Sequence, residues 1–193
     1  GASGSFVDAN TTSIDFEAVR SADNVTQNCT SVTLSAFSAT PIAVASQNTR
    51  DGGDGGWIRR CTVGTGSTTV KIQEDIATDA DVSHTTERAG VIAFSEAFDQ
   101  DFGGGFELQG GSVAISAIGS GLLNWSAEVF TDTFESPPRI FVLPTNAEAD
   151  PASLRRRNIT VNGFELAQVQ PDGEAGAADS MTVDYVAAVD GAH

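Results

Sequence analysis

Acid–base chemistry needs an imidazole or a poised carboxylate, and this chain offers few candidates. It holds two histidines, His84 and His193. His84 stands three residues before Glu87 in "HTTE", a spacing that can orient an imidazole for proton transfer. The plainer reading, a loop leading into a strand, is preferred. No Gly-x-Ser-x-Gly, His-Glu-x-x-His or P-loop signature accompanies it. The sequence therefore predicts a non-enzyme. Hard-cation binding is the next chemistry to weigh. Asp51 and Asp54 in "DGGDGG", and Asp79 and Asp81 in "EDIATDAD", place carboxylates two or three residues apart in loops. Calcium takes about six to eight oxygen ligands, so these four aspartates are the candidate ligands and calcium the one cofactor suggested. A solvated acidic loop is the alternative. Trp57, beside "DGGDGG", can stack on the apolar face of a sugar or cap the edge of a sheet.

The two cysteines, Cys29 and Cys61, both lie in strand-like stretches of the first half. A disulfide between them would contribute roughly 3–4 kcal/mol in the chain-entropy picture. Two buried thiols are the alternative, and the secreted character of the rest favours the bridge. Five N-x-S/T sequons, at Asn10, Asn24, Asn28, Asn124 and Asn158, are candidate glycosylation sites. In a glycosylating host they would lie on the outer face of a secreted protein.

Charge excludes some partners. With 26 acidic and 10 basic residues and a net charge of −16, the surface should repel nucleic acid and anionic membranes. No apolar run approaches the roughly 20 residues a membrane helix needs, so membrane insertion is not expected. Neither is a signal peptide visible; if there was one, it is expected to be gone already.

The elements that would position these residues are written twice. Adding 97 to the numbers of the first half brings Val32 to Val129, Phe37 to Phe134, Pro41 to Pro138, Arg59 and Arg60 to Arg156 and Arg157, Gly66 to Gly163, and Gln73 to Gln170. No gap is needed from Val32 to Asp75. Near the end the offset falls to 95, setting "GVIAFSE" against "YVAAVDG". One register held across strands and turns marks an internal duplication. It predicts two modules, residues 1–98 and 99–193, with a Gly- and acid-rich junction at 99–111.

Each module reads as strand after strand. "SIDFEAV" alternates, with Ile14, Phe16 and Ala18 on one side; "SVTLSAF" places Val32, Leu34 and Ala36 inward; "STTVKIQED" places Val70 and Ile72 inward. "GVIAF" and "RIFVLP" are nearly continuous apolar runs, as buried strands often are. Turn signals such as "VGTG", "VNG" and "SPP" separate them. Only "AEADPASLRRR", with Pro151 near its start, suggests a helical turn. The expected class is all-β, with two tandem antiparallel β-sandwiches of about six strands each.

The second module, "FTDTFESPPRIFVLPTNAEADPASLRRRNITVNGFELAQVQPDGEAGAADSMTVDYVAA", resembles the H-type lectin domain. The likeness lies in the order of a Phe/Pro/Val strand, an arginine-bearing strand, a "GF" turn and a closing apolar strand. The first module is similar, through "FSATPIAVAS", "IRRCTVGTGSTTVKIQED" and "HTTERAGVIAF". The last stretch is also similar to β-sandwich repeats of large bacterial surface and pilus-associated proteins. The lectin resemblance implies N-acetylgalactosamine bound at trimer interfaces, by an arginine of the middle strand, an aspartate near the N-terminal strand and an aromatic–histidine pair after the "GF" strand. Arg60 and Arg157 stand on that strand. The aromatic's place falls at Pro171–Asp172 and at Glu74–Asp75, which offer no stacking face, so this sugar site departs from the family pattern. A site of another make would use Trp57, Arg60, Arg157 and Asp172.

Two modules without a catalytic set, a secreted character and sheet edges open to strand pairing point to a structural subunit. The expectation is an extracellular or cell-surface filament, sheath or layer with the chain itself as partner, in which the "GASGSFVDA" segment adds a strand to a neighbour. A carbohydrate-binding lectin or adhesin, with glycans as partner, is the alternative.

Overall fold

Alternating β-branched and polar residues bounded by Gly, Asn and Pro turns give strands throughout. The computed structural model describes residues 1–35, 37–53, 55–74, 82–118, 123–145, 152–170 and 179–191, and among these there is no helix. The first half carries β1 (Ala2–Val7), β2 (Ser13–Arg20), β3 (Thr30–Thr33), β4 (Ile42–Gln47), β5 (Gly56–Gly64), β6 (Ser67–Glu74) and β7 (Ala89–Phe94). The second carries β8 (Phe98–Asp101), β9 (Glu107–Ile115), β10 (Ser126–Val129), β11 (Arg139–Leu143), β12 (Ser153–Thr160), β13 (Gly163–Val169) and β14 (Met181–Val189). They make four small antiparallel sheets, ordered β1-β2-β7-β4, β3-β6-β5, β8-β9-β14-β11 and β10-β13-β12. The second pair of orders is the first with seven added to every strand.

Among the described residues each half thus has seven strands, where about six were expected. The helical turn expected around Pro151 is not found in its described part. Ser153–Thr160 is a strand laddered to β13, because its side chains offer no apolar helical stripe and the "VNG" turn brings β13 alongside. Residues 146–151 lie outside the described residues.

The pairing corrects the spacing of the repeat. Thr30 pairs with Val70 and Ser126 with Leu166; Gly56 would map to Ala152 by the same step of 96, and the β5–β6 and β12–β13 ladders agree. At 97, Val32 would match Val129. Val32 is buried, whereas Val129 is 76% exposed. The step becomes 97 only beyond this point, where Phe37 N–H donates to Thr65 O and Phe134 N–H to Val161 O. In the last strand it is 94, not 95. Val91 lies in the core of the first half and its counterpart Tyr185 in that of the second, while Val186 points the other way. A slip of one residue turns every side chain of a strand to the opposite face.

With the step of 96, Cys29 and Cys61 correspond to Trp125 and Arg157. Cys29 and Cys61 form a disulfide, Cα to Cα 6.1 Å, which ties together the two strands flanking β6. In the second half the Arg157 guanidinium lies 4.0 Å from the centre of the Trp125 ring. A cation–π contact therefore stands where the first half has a covalent bond.

Three clusters hold the molecule together. One gathers Val32, Phe37, Val70, Ile72 and Val91 of the first half, and Leu143 at the end of β11 also belongs to it. A second gathers Val113, Phe130, Phe134, Leu166 and Tyr185 of the second half. The third lies between the halves, around Phe94, Phe98 and Val186. Removing the disulfide with Cys29→Ala/Cys61→Ala should lower stability by about 3–4 kcal/mol, against about 0.5–2 kcal/mol for Arg157→Ala. Trp125→Cys/Arg157→Cys should form a second bridge. Urea titrations and thiol counting check all three.

Candidate functional site

Strand β5 carries the residues with most chemical potential, and the fold turns them into the seam between the halves. The stretch after β11 runs beside β5, so that Arg60 N–H donates to Pro144 O (2.8 Å) and Arg59 Nη2 to Thr145 O (2.9 Å). Trp57 Nε1 donates to Ala152 O (3.1 Å). Arg60 Nη1 reaches Asp184 of β14, and both side chains are buried. Asp184 also accepts from Ala43 N (3.0 Å) and from Ser112 Oγ (2.7 Å). One carboxylate so receives donors from β4, β5 and β9.

Of the sugar ligands expected from sequence, Arg60 is buried in its ion pair with Asp184. Arg157 is exposed on β12, paired with Glu165 (2.5 Å) and lying over Trp125. Its sheet position matches Cys61, not Arg60. Asp172 lies outside the described residues. Beside Trp57 there is instead a seam pocket of about 320 Å³, lined by Phe141, Pro144, Leu154, Arg155 and Arg156 among others. Sequence reasoning did not single out Phe141 or Asp184. The only signal for Asp184 is an acidic residue inside the apolar run "MTVDYVAAV".

The "HTTE" segment forms a buried clasp. His84 Nδ1 lies 2.6 Å from Glu74 Oε1, and Nε2 lies 3.2 Å from Glu87 Oε1. Glu87, fully buried, also accepts from Thr49 Oγ1 (2.5 Å), Asp51 N (2.8 Å) and Gly52 N (3.4 Å). Burial pushes the Glu87 carboxyl up, but hydrogen bonds from Thr49, Asp51, Gly52 and His84 outweigh it and hold the group below its ordinary value. Both imidazole nitrogens are occupied, so the ring fastens the 49–52 loop to the end of β6. Of the four calcium candidates only Asp51 is described; Asp54, Asp79 and Asp81 lie outside, as does His193. Among the described residues no group of three or more His, Cys, Asp or Glu has the arrangement of a metal site.

An acidic corner forms where β8 meets the β1–β2 turn. Asp99 is buried there. Desolvation first, then the neighbouring Asp132, Asp8 and Glu107 carboxylates, push its carboxyl up to about 7. Asp8 accepts from Asn10 N (3.0 Å) and Thr12 N (2.8 Å), and Ala9 N–H donates to Asp99 O (2.9 Å). The sequon asparagines Asn10, Asn24, Asn28, Asn124 and Asn158 are all exposed. Asn158 Nδ2 donates to Glu165 (3.1 Å).

The chain matches no protein-family model, no curated protein and no solved structure.

Two outcomes follow for the seam and the corner. Arg60→Ala leaves Asp184 buried without its cation and should cost about 3–5 kcal/mol, whereas Arg60→Met/Asp184→Leu should cost far less; urea denaturation measures both. For Asp99 the folded protein holds its proton at higher pH than the unfolded chain. Stability should therefore fall as pH rises from about 4, the ordinary aspartate value, through about 7. The lowered Glu87 acts in the opposite sense, with stability lost as pH falls through its folded value. Melting temperature against pH should peak on the acid side of neutrality, and Asp99→Asn should flatten the decline above the peak.

Proposed function

We propose that the chain consists of two tandem β-sandwiches and is a non-catalytic extracellular structural protein, the subunit of a self-assembling surface filament, sheath or layer. The observation that carries this reading is the edge strand β1. Monomeric proteins guard their sheet edges with charge, proline, bulges or cover. β1 reads Ala-Ser-Gly-Ser-Phe-Val, with no charge and no proline, and pairs with β2 in an unbroken register. Its outer edge has no partner strand among the described residues. The equivalent strand, β8, carries Asp99 and Asp101. A second copy can extend the sheet at β1, and the acidic guard at β8 disfavours the same pairing there. The disulfide supports an oxidising location.

A second reading, a glycan-binding lectin or adhesin, is favoured by the seam pocket, where Trp57 and Phe141 stand with Arg155 and Arg156. Its volume lies at the lower end for small-ligand sites.

Sedimentation and negative-stain microscopy of native material separate the two. The structural reading expects large assemblies, reduced to single chains by Ser3→Lys/Ser5→Lys with unchanged circular dichroism. Wild-type protein that stays monomeric at high concentration while binding a glycan array would replace it with the lectin reading.

A further inference from the structure

The first sheet has a second face, turned away from its own core. On it, strand pairing sets side chains in rows. Phe16 and Phe94 share one row and Ala18, Ile92 and Val44 the next; Arg20, Gly90 and Ser46 follow. Rows on one face are about 7 Å apart, two strand residues. An outward face normally alternates to polar residues, yet two of these three rows are apolar. The second half covers only part of them. The sheets meet around Phe94, Phe98 and Val186 and leave Ile92 44% and Phe141 51% exposed. Between them runs a half-open groove of about 590 Å³ with an overwhelmingly apolar wall, to which Leu108 and Val186 contribute from the far side.

One end of the groove differs. Arg20 lies there with no ion-pair partner among the described residues, in a protein with 26 acidic residues against 10 basic. Asn48 lies over Gly90, where a Cβ would fall 2.6 Å from Asn48 Nδ2, so the glycine makes room for the amide. Ser46 Oγ donates to Asn48 Oδ1 (3.0 Å), and Asn48 Nδ2 has no acceptor among the described residues. A guanidinium and an amide N–H at the end of an apolar trough complement a carboxylate on an aliphatic tail.

We propose that this groove binds a free straight-chain fatty acid, with its tail along the Ala18–Ile92–Val44 row and its carboxylate at Arg20 and Asn48. The exposed wall is far smaller than the 1,200–2,000 Å² that stable protein interfaces bury in total, which argues for a small ligand over a second chain. Gly1 and Ala2, at the start of β1, also line the groove, and the proposal goes beyond the assembly reading.

Isothermal titration calorimetry of the full chain with octanoate, nonanoate and decanoate, each below its micelle concentration, tests the proposal. One site per chain is expected, with affinity climbing about fourfold for each added methylene. Arg20→Gln should weaken decanoate binding by about tenfold or more and leave decanol binding unchanged. Ala18→Phe should abolish both. Arg20 is exposed, so Arg20→Gln keeps the test valid if Ala18→Phe misfolds by circular dichroism. Absence of binding, an affinity indifferent to chain length, equal affinity for decyltrimethylammonium, or an Arg20→Gln variant that binds decanoate like wild type would each overturn it. So would a change in sedimentation of the unliganded protein on Ala18→Phe, which would assign the groove to a second copy.

Discussion

Asp184 is the side chain on which the arrangement of the two halves depends. A buried carboxylate is costly unless it is paired and its remaining lone pairs are filled. Here the filling groups come from far apart in the chain: the Arg60 guanidinium, the Ala43 amide and the Ser112 hydroxyl. A shift of either half would strand the charge, so the pair acts more as a constraint on geometry than as a source of net stability. Leu143, one strand away, adds the apolar part by entering the core of the other half. Together they join the two halves along the seam.

The two halves show how one strand plan supports different chemistry at matching positions. Arg59 and Arg60 are enclosed by the stretch at 144–145, while Arg155, at the position of Arg59, is exposed. The sequence is the same dipeptide; the difference is which half lies against it. At the flank of the middle strand the first half has a disulfide and the second an arginine over a tryptophan. Both hold outer strands across a short sheet. The second does so reversibly and leaves its aromatic ring partly exposed.

Much of this was legible from local pattern. Alternation marked Ile14, Val32, Val70 and Ile72, and all four are buried. The Cys29–Cys61 bridge was expected from the secreted look of the sequence, and the disulfide forms. Register was not, because Gly66/Gly163 and Gln73/Gln170 match by identity at a step of 97, whereas the turn itself matches at 96; identity in a Gly- and Thr-rich turn is weak evidence against one residue of slip. The β1 segment reads from sequence as a strand added to a neighbouring chain, whereas it pairs with β2 of its own chain; β8 escaped because Phe-Asp-Gln-Asp has little strand propensity and owes its form to pairing with β9. The partners of Arg60 and His84 were illegible for another reason. Asp184 is 124 residues away from Arg60 and Glu74 is ten before His84, and no local spacing encodes either meeting.

The contrast between β1 and β8 connects fold to assembly. Two strands hold the same place in the same sheet order, but β8 has its Asp99 carbonyl taken by Ala9 N–H of the β1–β2 turn. They differ in charge as well. On β8 the carboxylates sit in an acidic corner already crowded enough to push Asp99 up to about 7, and another strand laid there would add desolvation to that repulsion. On β1 the side chains are small and neutral, and a neighbouring backbone can approach. A duplicated unit would ordinarily offer two equivalent edges and associate without direction. Guarding one copy and leaving the other bare makes the two edges inequivalent, so that strand addition at β1 is not matched at β8.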